Sequence, residues 1–318
     1  MSAVPELIVE GPGTGPADVP AAKKIEGRNP WRLAYERLRT DKAAKISFGV
    51  IVLIIVLAFV APLFTKITHH GPNEVFSNIG QNANGGPVPP SGLFWLGTDA
   101  SGRDLFIRIL YGIRISLLVG VLSTGVSVAL GVVFGLAAGF LGGVVDAVIA
   151  RMIDVLLSLP FLVVALTLAY RYGGSLWLVV FVLGFFSFTA LARIVRGQVI
   201  SLRQKEYVEA ARAMGARSWR IMFIDLLPNV MAQVIVYASL LIPLAIVGES
   251  SLSFLGVGIP PPTADWGDMI SDASGYYQFG YWWYLFFPSL ALLGTTLAFN
   301  IFGDSVRDAL DPRGSTYV

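Results

Sequence analysis

The chain has 318 residues, of which 55% are hydrophobic and only 14% charged, with a net charge of +2 and no cysteine. A soluble domain carries about 25% charged residues, so this balance excludes an ordinary water-soluble globule. The absence of cysteine excludes disulfides and thiol chemistry, and the small net charge gives no reason to expect a nucleic-acid partner.

Residues 1–28 are rich in Pro, Gly and Ala and read as a disordered tail. In the following stretch, "NPWRLAYERLRTDKAAK", Pro30 suits a first helical position after Asn29 as cap. Trp31, Tyr35 and Leu38 form a stripe among Arg32, Arg37, Arg39, Lys42 and Lys45, the pattern of a helix lying on the inner leaflet. A plain stop-transfer flank is the alternative, and it explains the charges but not the Trp/Tyr/Leu spacing. The first apolar run starts near residue 46, too late and too long for a secretory signal peptide.

About 20 apolar residues span a bilayer as a helix. The uncharged runs then predict six spans: between Lys45 and Lys66, from Arg114 toward the "GFLGG" turn at 139–143, about 147–170, 172–192, 226–248, and within 273–303. The fold class is therefore all-α, a polytopic membrane bundle. The expected divisions are 29–64 (interfacial helix and first span), an external loop 65–114, a core of five spans over 115–303 containing a polar loop 193–228, and a tail 304–318.

Within the external loop, "LGTDASGRDLFIRILYGIRISLL" predicts a short amphipathic helix running into the second span, capped by Thr98 or Asp99. Arg103, Asp104 and Arg108 read as surface packing, with substrate contact as the other reading. His69 and His70, adjacent in this loop, read as solvated, with metal ligation as the other reading. Pro62, Pro160, Pro243 and Pro288 each fall in a different span, where proline kinks a helix. Gly131, Gly135 and Gly139 recur every four residues and form one close-packing stripe. Two acids, Asp154 and Glu249, lie near membrane depth. A mid-bilayer charge costs about 3 kcal/mol on insertion scales, so each either lines or gates a pathway or hydrogen-bonds locally near an interface.

Of the 23 lysines and arginines, 18 fall on one side if the N-terminus is inside; only Lys66, Arg103, Arg108, Arg114 and Arg171 fall on the other. By the positive-inside rule both termini and the 193–228 loop are expected to be cytoplasmic. That loop contains "EYVEAARAMGARSWRIMFIDLLPN". Tyr207, Ala210, Ala211 and Met214 make one helical stripe, Gly215 suits a left-handed C-terminal cap, and Ser218 can cap a second helix that Pro228 ends. The expectation is helix, tight turn, helix. A helix this short is marginal alone, so its stripe must be covered, either by this chain's own inner surface or by a partner; spacing leaves the two open.

"EAARAMG" at 209–215 followed by "LP" at 227–228 resembles the EAA loop of ABC-importer permeases: Glu-Ala-Ala, three residues, Gly, nine residues, Ile, any residue, Leu-Pro. Asp225 stands at the Ile position. "LGTDASGRD" at 96–104, "GESSLSFLGVGIPPPTADWGDMI" at 248–270 and "GDSVRDALDPR" at 303–313 are similar to the dipeptide/oligopeptide/nickel group, in particular its C-type subunit. The likeness covers roughly 29–313.

The resemblance implies an inner-membrane permease subunit of a prokaryotic importer that takes up peptides, or nickel chelates or another small solute. Tyr207, Glu209, Ala210, Ala211, Met214 and Gly215 would form a coupling helix seated on a cytoplasmic ATPase. It further implies a second homologous permease, two ATPase subunits, an extracytoplasmic binding protein and surrounding lipid as partners. No Gly-Lys-Ser/Thr occurs in the chain, so no cofactor is expected here, and ATP with Mg would be bound by the ATPase partners. A hydrolytic enzyme within the membrane would want a nucleophile–base pair or paired acids in the spans, which the sequence does not offer. A gradient-driven carrier or a channel, the remaining alternative, would have no use for a patterned docking helix.

Overall fold

The computed structural model describes residues 30–311, so the expected disordered tail 1–28 and the cap at Asn29 lie outside the described residues. The elements are helices α1 (Pro30–Thr40), α2 (Lys42–Thr68), α3 (Leu105–Leu141), α4 (Gly143–Ser158), α5 (Phe161–Tyr172), α6 (Leu176–Leu202), α7 (Glu206–Ala213), α8 (Ser218–Arg220), a π-helical turn (Ile221–Leu226), α9 (Leu227–Phe254), α10 (Trp266–Ser274), a 3₁₀ turn (Tyr277–Phe279) and α11 (Trp282–Leu310). Among the described residues the only β pairings are two isolated bridges, Gln81 with Pro87 and Thr98 with Asp104.

Among the described residues, five helices are long and apolar enough to cross a membrane: α2, α3, α6, the continuous rod Ser218–Phe254, and α11. A sixth crossing exists only if α4 and α5 count as one span, and these are bent by 80°. The break falls at Pro160, which lacks an N–H to donate and pushes the residue before it out of the helical region. Leu159 accordingly has φ −81° and ψ 129°.

Several boundaries differ from those expected. The outer amphipathic helix and the second span are one helix of 37 residues. Its cap is Asp104, whose carboxylate accepts from the Ile107 N–H at 3.2 Å. Thr98 and Asp99 are spent on the preceding loop instead: the Thr98 hydroxyl donates to the Gly80 carbonyl at 2.7 Å, and Asp99 accepts from the Ser101 and Arg103 N–H groups at 2.9 Å. The tail expected from 304 is helical to Leu310, and Arg37 of α1 donates to the carbonyls of Ala309 (3.3 Å) and Asp311 (2.9 Å) at its end. Asp41 caps α2 through the Ala43 N–H and accepts from Ser305 Oγ at 2.8 Å, so α1, the start of α2 and the end of α11 sit together. These bonds hold the Asp41 carboxyl below the usual carboxylate range.

The centre of the bundle is the parallel pair α3 and α6. Gly131, Gly135 and Gly139 face Leu191, Val195 and Val199, and a Cβ built on Gly135 would lie 2.6 Å from Val195 Cβ. The missing side chains set the helix separation, so the stripe expected to pack closely does so against α6. α9 and α11 run antiparallel beside this pair, with Gly303 against Leu240 and Ser239, and Ile246 clustered with Ala298 and Phe299.

Candidate functional site

α7 lies at the end of the bundle where α3 and α6 finish. Its inward side is narrow: Val208, with no exposed surface, and Ala211, 7% exposed, enter a core with Phe140, Val195, Val199, Ile221 and Leu226. Phe140 also carries the Arg212 guanidinium over its ring at 5.1 Å. Arg203 Nη1 donates to the Gly139 carbonyl at 3.0 Å and ties the end of α6 to the end of α3, fixing the platform below.

Of the expected stripe, only Ala211 is buried. Tyr207, Ala210 and Met214 are exposed, Met214 by 81%, and Glu209 and Gly215 are exposed beside them. The chain therefore seats the helix by one edge and leaves the rest of its apolar stripe uncovered. Gly215 has φ +81°, its N–H bonds the Arg212 carbonyl at 2.9 Å, and the Ala216 N–H bonds the Ala211 carbonyl at 3.0 Å. This pair of bonds is a Schellman motif, which wants glycine at that left-handed position.

The second helix departs from expectation. Ser218 begins the helix rather than capping it; Arg217 holds the cap position without a side-chain bond. Pro228 does not end that helix either. It sits in the first turn of α9, and the π-helical turn before it lets the Leu227 N–H reach back to the Met222 carbonyl. A wider turn upstream accommodates a residue with no N–H to give. Tyr207, pressed against this turn, has its hydroxyl pushed above the ordinary phenol range, first by burial and then by the Asp225 charge.

The two membrane acids are held differently. Asp154 is half-exposed on α4 and pairs with Arg193 of α6 at 2.7 Å. Glu249 is completely buried, with Ser253 Oγ at 2.9 Å and Ser250 Oγ at 3.4 Å. The Ser253 hydroxyl also bonds Asp265, so Glu249 belongs to a tether from α9 to the head of α10. The adjoining cavity of about 330 Å³ is lined by Ser250 together with Val247, Ser251, Phe254, Ile270 and Leu292, and not by Glu249 itself.

At the opposite end of the bundle from α7, beside the Glu249 tether, lies a polar cluster whose charges read as surface in the sequence. Asp99, Asp104 and Arg108 are each 1% exposed. Arg108 donates to the carbonyls of Pro72 (3.1 Å) and Pro262 (3.2 Å), and its Nε lies 3.4 Å from Asp99, which also pairs with Arg103 at 2.6 Å. His70 is buried rather than solvated, with Nδ1 2.6 Å from Asp104 and its ring stacked on Phe94. Arg108 thus pins two loops that are distant in sequence to the start of α3. Asp265 caps α10 through the Gly267 N–H at 2.8 Å, and Trp266 donates to the Ile109 carbonyl at 3.1 Å over Gly112. Farther along α10, burial pushes the Asp268 carboxyl up to about 6, with Asp272 and Asp265 adding to the effect. The cap pattern at Asp265–Trp266 was present in the sequence; the convergence of loops on Arg108 had no local signal.

Residues 131–315 match the family described as binding-protein-dependent transport system inner membrane component, and residues 29–87 match the N-terminal transmembrane domain of oligopeptide transport permease C. The chain belongs to this permease family. It is 40% identical over 280 residues to the dipeptide transport system permease protein DppC of Bacillus subtilis, covering 88% of this chain and 85% of that one. It is 39% identical over 290 residues to the oligopeptide transport system permease protein OppC of Escherichia coli K12, covering 91% and 93%. The fold is similar to a chain in an inward-facing structure of the MetNI methionine ABC transporter, with a TM-score of 0.50 at 18% identity, covering 64% of this permease and 96% of that chain.

Proposed function

We propose that this permease is one half of the membrane pathway of an ATP-driven importer of di- and oligopeptides, with α7 as its coupling helix. The peptide assignment rests on the relatives' names, dipeptide and oligopeptide transport permeases. The observation that carries the mechanism is the exposed stripe of α7, with Tyr207, Ala210 and Met214 open on a helix anchored by Val208 and Ala211. A short helix held on one edge by its own bundle and uncovered on the other transmits displacement from whatever covers it. In this reading the cover is a cytoplasmic ATPase, one of two that bind ATP and Mg, and the end of the bundle carrying α7, α1 and the finish of α11 is cytoplasmic.

Glu209 meets polar or basic groups of the ATPase, Ala210 permits close approach, and Gly215 turns the chain back toward the membrane. Closure of the ATPase pair moves α7, and the movement reaches the pathway as a rigid-body shift of packed helices. A second homologous permease completes the pathway, and an extracytoplasmic binding protein delivers the peptide at the opposite end. This chain contributes no ATP site of its own. Glu209→Lys, or deletion of 206–215, is expected to abolish peptide uptake in cells or proteoliposomes while the chain still inserts. Full uptake by the deletion variant would refute the mechanism.

A further inference from the structure

The π-helical turn Ile221–Leu226 carries one residue that its own chain does not satisfy. Asp225 is half-buried, and its Oδ2 is enclosed without a hydrogen-bond partner. Its backbone carbonyl is engaged, accepting from Asn229 Nδ2 at 2.6 Å, but none of the described ion pairs involves its carboxylate. The EAA pattern has an isoleucine at this place. Isoleucine would sit there without an unpaired polar atom, whereas an enclosed donor or acceptor left unsatisfied costs about 1–3 kcal/mol, more for a charged group. Stability of the isolated chain therefore gives no reason for an acid at 225.

The surroundings point outward. α7 packs against this turn, and Tyr207 lies close enough for the Asp225 charge to act on its hydroxyl. Trp219 and Phe223 on the same rod are 57% and 46% exposed, and Met214 follows α7 directly. The acid thus stands beside the uncovered side of the coupling helix, at the edge of an exposed apolar and aromatic surface. Of its two carboxylate oxygens only Oδ2 is enclosed, so a docked cation can meet the acid through Oδ1, and arginine is well suited because its planar guanidinium gives a charge-assisted hydrogen bond of fixed geometry.

Resting on the coupling reading above, we infer that Asp225 receives an arginine or lysine side chain of the docked ATPase and makes this permease selective for ATPases that carry one there. Truncating one member of a buried charge pair across an interface costs about 2–5 kcal/mol, which is roughly thirtyfold or more in affinity.

The test uses the complex assembled with its partner permease and ATPases, comparing native protein, Asp225→Ile, Asp225→Asn and, as a control for the coupling interface, Glu209→Lys. Asp225→Ile is expected to leave the melting temperature of the permease equal or higher, to weaken ATPase retention by roughly thirtyfold or more, and to remove most of its sensitivity to salt. Asp225→Asn should lose the salt sensitivity with a smaller loss of retention. If Glu209→Lys releases the ATPases while Asp225→Ile keeps both retention and its salt response, the inference about Asp225 is wrong and the coupling reading stands. If neither variant releases them, the coupling reading itself fails. A lower melting temperature for Asp225→Ile with unchanged retention would make Asp225 an internal staple and also overturn the inference.

Discussion

Val208 is the principal anchor of α7, and its truncation gives a quantitative test of how the helix is held. Val208→Ala removes two methyl groups from a side chain with no exposed surface. At about 0.8 kcal/mol per buried carbon the transfer loss is about 1.6 kcal/mol, and the residual cavity beside Phe140 and Val199 brings the total to about 2–3 kcal/mol. An eight-residue helix has no stability of its own to offset this. The loss should therefore appear as local opening of 206–216 rather than as unfolding of the bundle. Amide hydrogen exchange over that segment should accelerate by roughly 30- to 150-fold, with little change in α3 or α6. Met214→Ala, on a side chain 81% exposed, should leave exchange near native in the isolated permease. Equal acceleration by both variants, or less than about a threefold change for Val208→Ala, would refute the one-edged seating of the helix.

Two further predictions concern the opposite end. Arg108→Ala should destabilise the isolated chain by about 3–5 kcal/mol, because Asp99 and two loop carbonyls lose a buried partner, and Arg108→Lys should rescue it poorly because an ammonium cannot reproduce the fork; a melting temperature close to native would contradict the pinning role. Asp268 has its folded value raised from 3.8 to about 6, so the folded state binds more protons than the unfolded state between those values. Stability then falls as pH rises from about 4 to about 6, and Asp268→Asn should flatten that slope and raise the melting temperature at pH 7.5. An unchanged slope in thermal melts across that window would show that Asp268 is not the titrating group.

The spans were legible because bilayer thickness imposes long uncharged runs, and the glycine stripe because its spacing of four matches one helix face. Gly215 was legible for a local reason: only the turn itself decides whether a left-handed residue is needed. Loop architecture was not. Thr98, Asp99 and Asp104 can all cap a helix, and the choice depends on which of them the 65–104 loop consumes in its own folding. The burial of His70 has no local signal, because it depends on Phe94 and Asp104 arriving from elsewhere in the chain. On α7 the apolar periodicity identified a stripe that wanted covering but not what would cover it; Val208, off that stripe, turned out to be the residue the bundle holds. The π turn has no periodic signature, and Pro228 read alone signalled an end rather than an accommodated continuation.

The rod from Ser218 to Phe254 gives the molecule a lever of fixed length. At 1.5 Å per residue its 37 residues extend about 55 Å, with the half-buried Asp225 near one tip and the serine-linked acids Glu249 and Asp265 near the other. Tilting such a beam by about 5° swings its far tip by roughly 5 Å, more than the reach of a hydrogen bond. In the proposed coupling, a small push on the α7 side would therefore be felt at the Glu249–Ser253–Asp265 contacts near the far tip.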